Sequence, residues 1–212
     1  MELQKAKLNS KSEQYFSSIQ ERLKAIGDSL GSTISRYADE NHYVQIGING
    51  KQTIQSLEIA GLLLDTPDKD DVRKILLRNI NAALQQRGRA NLEEFMRVVS
   101  PREYMKIIVH EQEKIKNSIS AAERDLGRFT ANLTAVNRKV VSKSGNVEMM
   151  MSGANIIGSI NIPDAFLCAT NKAQIELDLM ETTNALTGQI QELLAGKLLA
   201  GGDKIRQEIQ IG

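Results

Sequence analysis

Apolar residues along this chain follow two spacings, and the same succession of spacings occurs twice. Phe16, Ile19, Leu23, Ile26 and Leu30 stand alternately three and four residues apart. Ile115, Ile119, Ala122, Leu126, Phe129, Leu133, Val136 and Val140 repeat that rhythm. A period near 3.5 residues predicts a long helix with a narrow apolar seam, the kind that pairs with another narrow seam. Ser100, Pro101 and Glu103 form a capping box with proline in the first turn, so the later helix is expected from Pro101 to about Lys139, roughly 58 Å at 1.5 Å per residue.

A two-residue rhythm follows each seam. Val44, Ile46 and Ile48 alternate with Gln45 and Gly47 and stop at Asn49-Gly50. Ile54, Leu57 and Ile59 continue beyond the turn. Farther along, Val147, Met149 and Met151 run into Ser152-Gly153, then Ile156 to Ile162. Alternation predicts strands with one wet face, and Asn-Gly between alternating runs predicts a hairpin. The methionines at 149–151 read as adaptable core filler. Each unit then closes with a helix. Asp68 or Asp70 caps the first, whose apolar face is Val72, Ile75, Leu76, Ile80, Ala83 and Leu84; Thr170 or Asn171 starts the second, faced by Ile175, Leu179, Leu186 and Ile190.

One offset superimposes the two successions without a gap. Ser17 and Ser120 lie 103 residues apart, and at the same spacing Leu23 meets Leu126, Val44 meets Val147, Gly50 meets Gly153, Ile54 meets Ile157 and Asn81-Ala82 meets Asn184-Ala185. A repeat this long is a small domain. A lone helix-backed sheet of that size buries only one layer interface and is marginal, so pairing of the copies is expected. The expected fold class is α+β: two tandem units of long helix, three-stranded antiparallel sheet and helix, packed as a pseudo-symmetric pair. The units are placed at 1–87 and 101–198, with a connector at 88–100 holding a short helix at about 90–98, and a C-terminal tail at 199–212.

Composition narrows the chemistry. The chain of 212 residues carries a formal charge of +1 and no Trp, which speaks against an aromatic stacking platform for single strands. From Val72 to Lys143 there are 15 Lys and Arg against 7 Asp and Glu; from Ser144 onward there are 4 against 8. A basic block on a neutral chain marks a polyanion-binding face or a solvated surface offset by acids in space. Cys168 excludes an internal disulfide and reads as a small apolar group. His42 and His110 stand apart, without the spacing of a metal or catalytic pair. Acidic pairs such as Asp70-Asp71 suit helix starts. No phosphate loop, zinc spacing or hydrolase elbow occurs, so no enzyme activity, cofactor or metal is expected. No apolar run is long enough to span a membrane and the polar start at Met1-Glu2-Leu3 lacks a secretory core, which makes the cytoplasm the expected compartment.

The stretch Val44-Gln-Ile-Gly-Ile-Asn-Gly50, then Ile54, Leu57-Glu-Ile59, Leu62-Leu63-Leu64-Asp65, Asp70-Asp71 and Asn79-Ile-Asn-Ala-Ala-Leu84 resembles the YbaB/EbfC nucleoid-associated family. Residues 145–153, Ile157, Ile160-Asn-Ile162 and Asn184-Ala185 resemble it again. The resemblance implies a long helix, a three-stranded sheet and a helix per unit, a homodimer's two subunits replaced by two repeats, and binding of double-stranded DNA with little sequence demand, at the nucleoid. The cations expected to neutralise phosphates are Arg87, Arg89, Lys114, Lys116, Arg124, Arg128, Arg138, Lys139 and Lys143. The competing expectation is a non-enzymatic adaptor or scaffold that recruits a protein partner, or a further copy of itself, through its helix seams; the near-neutral charge favours it.

Overall fold

A computed structural model describes residues 21, 24–25, 28–98 and 135–210, with side chains given as far as 193 and not at 95, 96 and 98. Seam residues before 28 and between 99 and 134, Leu23 and Leu126 among them, lie outside the described set, as does His110. The architecture is mixed α+β, with two three-stranded antiparallel sheets and helices against them. The first sheet is β1 (Ile34–Ala38), β2 (Val44–Asn49) and β3 (Ile54–Ile59); the second is β4 (Asn137–Val141), β5 (Glu148–Ser152) and β6 (Ile157–Asn161). After β3 come the single turn α1 (Gly61–Leu64) and the long α2 (Lys69–Val98). After β6 a 3-10 turn at Ala169–Asn171 leads into α3 (Lys172–Gln210).

Several boundaries differ from those expected. The sheets open with β1 and β4, which precede the alternating runs. Residues 34–38 carry only Ser35 and Tyr37 half-buried on one face, too weak an alternation to read. The seam expected to run helically through Val140 gives way to β4 at Asn137; Val136 and Val140 kept the three-four spacing only by coincidence of register. The short helix expected at 90–98 is the end of one continuous α2, and α3 carries on through the expected tail to Gln210. Asp68 is the cap of α2: its carboxylate accepts from the backbone N–H groups of Asp70 and Asp71 at 3.0 and 3.1 Å, and those two acids meet the positive end of the helix dipole.

The Asn49-Gly50 turn is not a two-residue hairpin. Asn49 accepts from Gln52 N–H at 2.9 Å and its own N–H donates to Thr53 at 3.0 Å. Its side-chain oxygen accepts from Lys51 and Thr53 N–H, both at 3.0 Å. The left-handed residue is Gln52, φ 59°. Glycine is needed at 50 for close approach: a Cβ there would stand 2.6 Å from both Leu30 O and Arg87 Nη2.

The two sheets share details of backbone. β1 pairs Ile34 with Asn49 and β4 pairs Asn137 with Ser152. The β2–β3 register slips between Gly47 and Ile48, and the β5–β6 register between Met150 and Met151. Positive φ falls at His42 and Gln52 in one half and at Gly145 and Asn155 in the other. Each pair of positions is 103 apart in sequence.

One hydrophobic core joins both halves. Val44, Ile46, Ile48, Ile80 and Leu84 belong to the same buried cluster as Met149, Met151, Ile175 and Leu186. The two helices cross-link it, because α2 packs on β2 and β6 while α3 packs on β3, β4 and β5. Each helix also satisfies the open edge of the other half's sheet. Asn184 on α3 accepts from Ile54 N–H at 2.7 Å and donates to Ile54 O at 2.9 Å. Asn81 on α2 accepts from Ile157 N–H and donates to Ile157 O, both at 2.8 Å. A carboxamide matches a peptide group donor for acceptor, so each asparagine replaces a missing strand and closes an edge that would invite other chains. Between them, Asn155 donates to Gln52 Oε1 at 2.9 Å.

Candidate nucleic-acid interface

The buried stripe of α2 is Val72, Leu76, Ile80, Ala83 and Leu84. At 3.6 residues per turn, Lys74, Arg78, Gln85 and Arg89 fall together on the opposite side, within about 60° of one another. All four are exposed. Lys74 and Arg89 are separated by roughly 22 Å of helix. Among the described residues none of Lys74, Arg78 and Arg89 has a carboxylate within ion-pair distance. Asp71 and Glu93 flank the same face, so it is basic along its middle and acidic at its margins. Arg97 is exposed one turn beyond. Arg78 also acts on Tyr37. Burial, then Asp39 and Glu40, raises the Tyr37 phenol above its ordinary range, and the Arg78 charge opposes them.

The expected cations separate into three groups. Arg89 lies on this exposed face, and Arg138 is exposed on β4 without an ion pair among the described residues. Lys139 and Lys143 are exposed but paired, with Glu148 at 2.7 Å and Glu181 at 3.2 Å. Arg87 points inward at 5% exposure: its Nη1 donates to Ser35 Oγ at 3.0 Å, and Nε and Nη2 have no partner among the described residues. Its place follows from phase, since Ile80, Leu84 and Arg87 succeed one another at core-facing spacings of four and three. Lys114, Lys116, Arg124 and Arg128 lie outside the described residues.

Sequence reasoning missed Lys74 and Arg78. The signal was available, because both are opposite the buried stripe and both change character at the equivalent positions of the second half. Lys74 corresponds to Leu177, Arg78 to Glu181 and Arg89 to Glu192. The outward face of α3 is therefore apolar and acidic where that of α2 is basic.

Cys168, read from the sequence as a small apolar group, is half-exposed. Its Sγ lies 3.1 Å from Thr170 Oγ1 and receives the Asn171 side-chain N–H at 3.2 Å. The hydrogen bond with the Thr170 hydroxyl holds the thiol below its ordinary range, outweighing desolvation, with lesser help from backbone N–H groups and the Lys69 charge. Among the described residues no three His, Cys, Asp or Glu side chains converge as a metal site, and no helix is long and apolar enough to cross a membrane. The surface recesses are shallow, the one beside α2 being about 550 Å³ and bordered by Ala82, Gln85, Gln86, Arg89, Ala90 and Glu93.

No curated protein and no solved structure matches this chain. Residues 7–101, the half that carries the basic face of α2, match the YbaB/EbfC DNA-binding family.

Proposed function

We infer that this chain binds double-stranded DNA as a nucleoid-associated protein, and that its two halves are tandem copies of one unit packed as a pseudo-symmetric pair. The observation that carries the DNA reading is the coincidence of the family match with the free cations: residues 7–101 contain Lys74, Arg78 and Arg89 on one exposed helical face. Support for the pairing comes from the common offset of strand registers, bulges, left-handed residues and edge-closing asparagines.

Cations spread along a rigid helix neutralise phosphates without reading base edges, so affinity falls steeply with salt and varies little with sequence. Arg138 supplies a further cation on the second sheet, and Lys139 and Lys143 join when phosphate displaces their surface carboxylate partners, contacts that are individually weak. Arg87 is assigned to the interior, where it holds Ser35. A DNA-facing role of Lys114, Lys116, Arg124 and Arg128 extends the basic tract, and their reversal to Glu should weaken binding in the same assay. Nothing in this mechanism calls for an enzyme activity or a cofactor.

Electrophoretic mobility shift on a random-sequence duplex tests the reading. Binding at low salt that weakens as salt rises, and that Arg78→Glu with Arg89→Glu strongly weakens, supports it. Absence of binding at low salt leaves the adaptor reading, which the near-neutral charge of +1 favours.

A further inference from the structure

Two equivalent positions at the junction of the halves carry opposite charges. Arg73 on α2 and Glu176 on α3 stand 103 residues apart, and each reaches the end of the edge strand in the other half. Arg73 donates to Ile162 O from Nε at 3.0 Å and from Nη2 at 2.7 Å, and it pairs with Asp164 and, at 2.6 Å, with Asp70. Glu176 accepts from Ile59 N–H at 2.7 Å and is held at 3.2 Å by Lys172. Ile59 and Ile162 are themselves equivalent, whereas Asp164 corresponds to Gly61 and Asp70 to Ala173.

Resting on the tandem reading above, we propose that Arg73, Asp164 and Glu176 key the two unlike halves to each other and disfavour pairing of like halves between chains. Asn81 and Asn184 cannot make this choice, because they form the same two bonds on either side. The charged positions can. Two second halves brought together would set Glu176 of each, mostly buried, against the largely exposed Asp164 of the other, like charges across the junction. Two first halves would set Arg73 against Gly61 in place of Asp164, leaving it only Asp70 of its own helix, and would leave Ile59 N–H without its carboxylate. Only the unlike pairing gives Arg73 an acid across the junction and Ile59 N–H an acceptor. Selection by penalising the wrong partner is the same physics that sets register and partner choice in paired helices.

The arrangement makes an unusual prediction for Arg73→Glu. That substitution places a third carboxylate beside Asp164 and Asp70 in the unlike pair, yet in a pair of first halves it gives each Ile59 N–H an acceptor. It should therefore drive first halves of different chains together. Gln52 and Asn155, hydrogen-bonded across the junction, provide the reporter. In full-length Cys168→Ser protein, Gln52→Cys with Asn155→Cys should be joined within one chain by a short bismaleimide. Gln52→Cys alone should give almost no covalent dimer, and adding Arg73→Glu should raise the dimer at least fivefold. Replacing Asp164 by Gly in that variant removes the repulsion and should bring the yield back towards its parent.

Dimer formed equally with and without Arg73→Glu, or insensitive to Asp164, overturns the key. If Arg73→Glu only unfolds the chain, recovery of its melting temperature by Asp164→Gly supports the proposal and failure to recover rejects it. Failure of the double-cysteine chain to link at all indicts the pairing of halves itself, a distinct result.

Discussion

The first and second halves agree inside and disagree outside. Both have the strand register that slips at the same relative step, the left-handed residues at the same two turns, and an asparagine on the closing helix that stitches the opposite sheet edge. On the outward helix face, Lys74, Arg78 and Arg89 of the first half stand where the second has Leu177, Glu181 and Glu192. Packing density and buried hydrogen bonds constrain the interior of both halves, because a mismatch there costs kilocalories. Solvated positions are free of that constraint and can change sign. The comparison teaches that two halves with like strand registers can share one interior while their outward helix faces differ in charge.

The largest effect expected comes from cutting the shared interior. Asn81→Ala and Asn184→Ala each strand a backbone N–H and C=O at a sheet edge, which at about 1–3 kcal/mol per unsatisfied group predicts losses of roughly 3 kcal/mol apiece. Urea unfolding of the two variants should give similar losses. A loss confined to one would break the equivalence of the halves.

Next come the surfaces. Arg78→Glu or Arg89→Glu should weaken DNA binding about tenfold each, uniformly across sequences, and reduce the salt slope by about one per contact removed. Glu181→Arg and Glu192→Arg should strengthen binding, giving the second half the face that the first already has. Fluorescence anisotropy with labelled duplex measures both. Binding weakened equally by changes on either helix would remove the asymmetry.

A smaller difference lies at the polar pair beneath β1. Tyr37 donates to Asn79 Oδ1 at 2.9 Å, while the second half has Val140 and a buried Thr182 hydroxyl without a partner among the described residues. Tyr37→Phe should cost about 1 kcal/mol. Because burial raises the folded-state phenol pKa, the contribution of Tyr37 is present below the unfolded value and disappears as pH climbs through the folded one. Unfolding followed from neutral pH to above the ordinary phenol value of about 10 should show that loss in the parent and not in the Phe variant.

The smallest change concerns Cys168, whose equivalent in the first half is Asp65. Its alkylation should reach half-maximal rate below pH ~8.5, the ordinary thiol value. Thr170→Val, which removes the main stabilising bond, should move that midpoint upward. An unmoved midpoint would assign the lowered pKa to the Lys69 charge or the backbone instead.

Much of this was legible in the chain. The alternation of Val44, Ile46 and Ile48 marked β2 and its buried face because one sheet side is dry. The 103-residue offset carried from sequence into strand register. Strands β1 and β4 were hidden, since β4's Val140 happened to continue a helical seam and β1 leaves its large apolar residue, Ile34, in water. Arg87 shows why charge alone misleads: phase against Ile80 and Leu84 turned it inward. The stitches made by Asn81 and Asn184 span 76 and 130 residues, a distance over which local pattern holds no information.

The most direct test of the central claim is a salt series of duplex binding by the intact chain. Neutralisation of three phosphates by Lys74, Arg78 and Arg89 predicts a log–log slope of about −2.7 or steeper, flattened by roughly two units when Arg78 and Arg89 are reversed. A slope near zero, or one that survives those reversals unchanged, would contradict it.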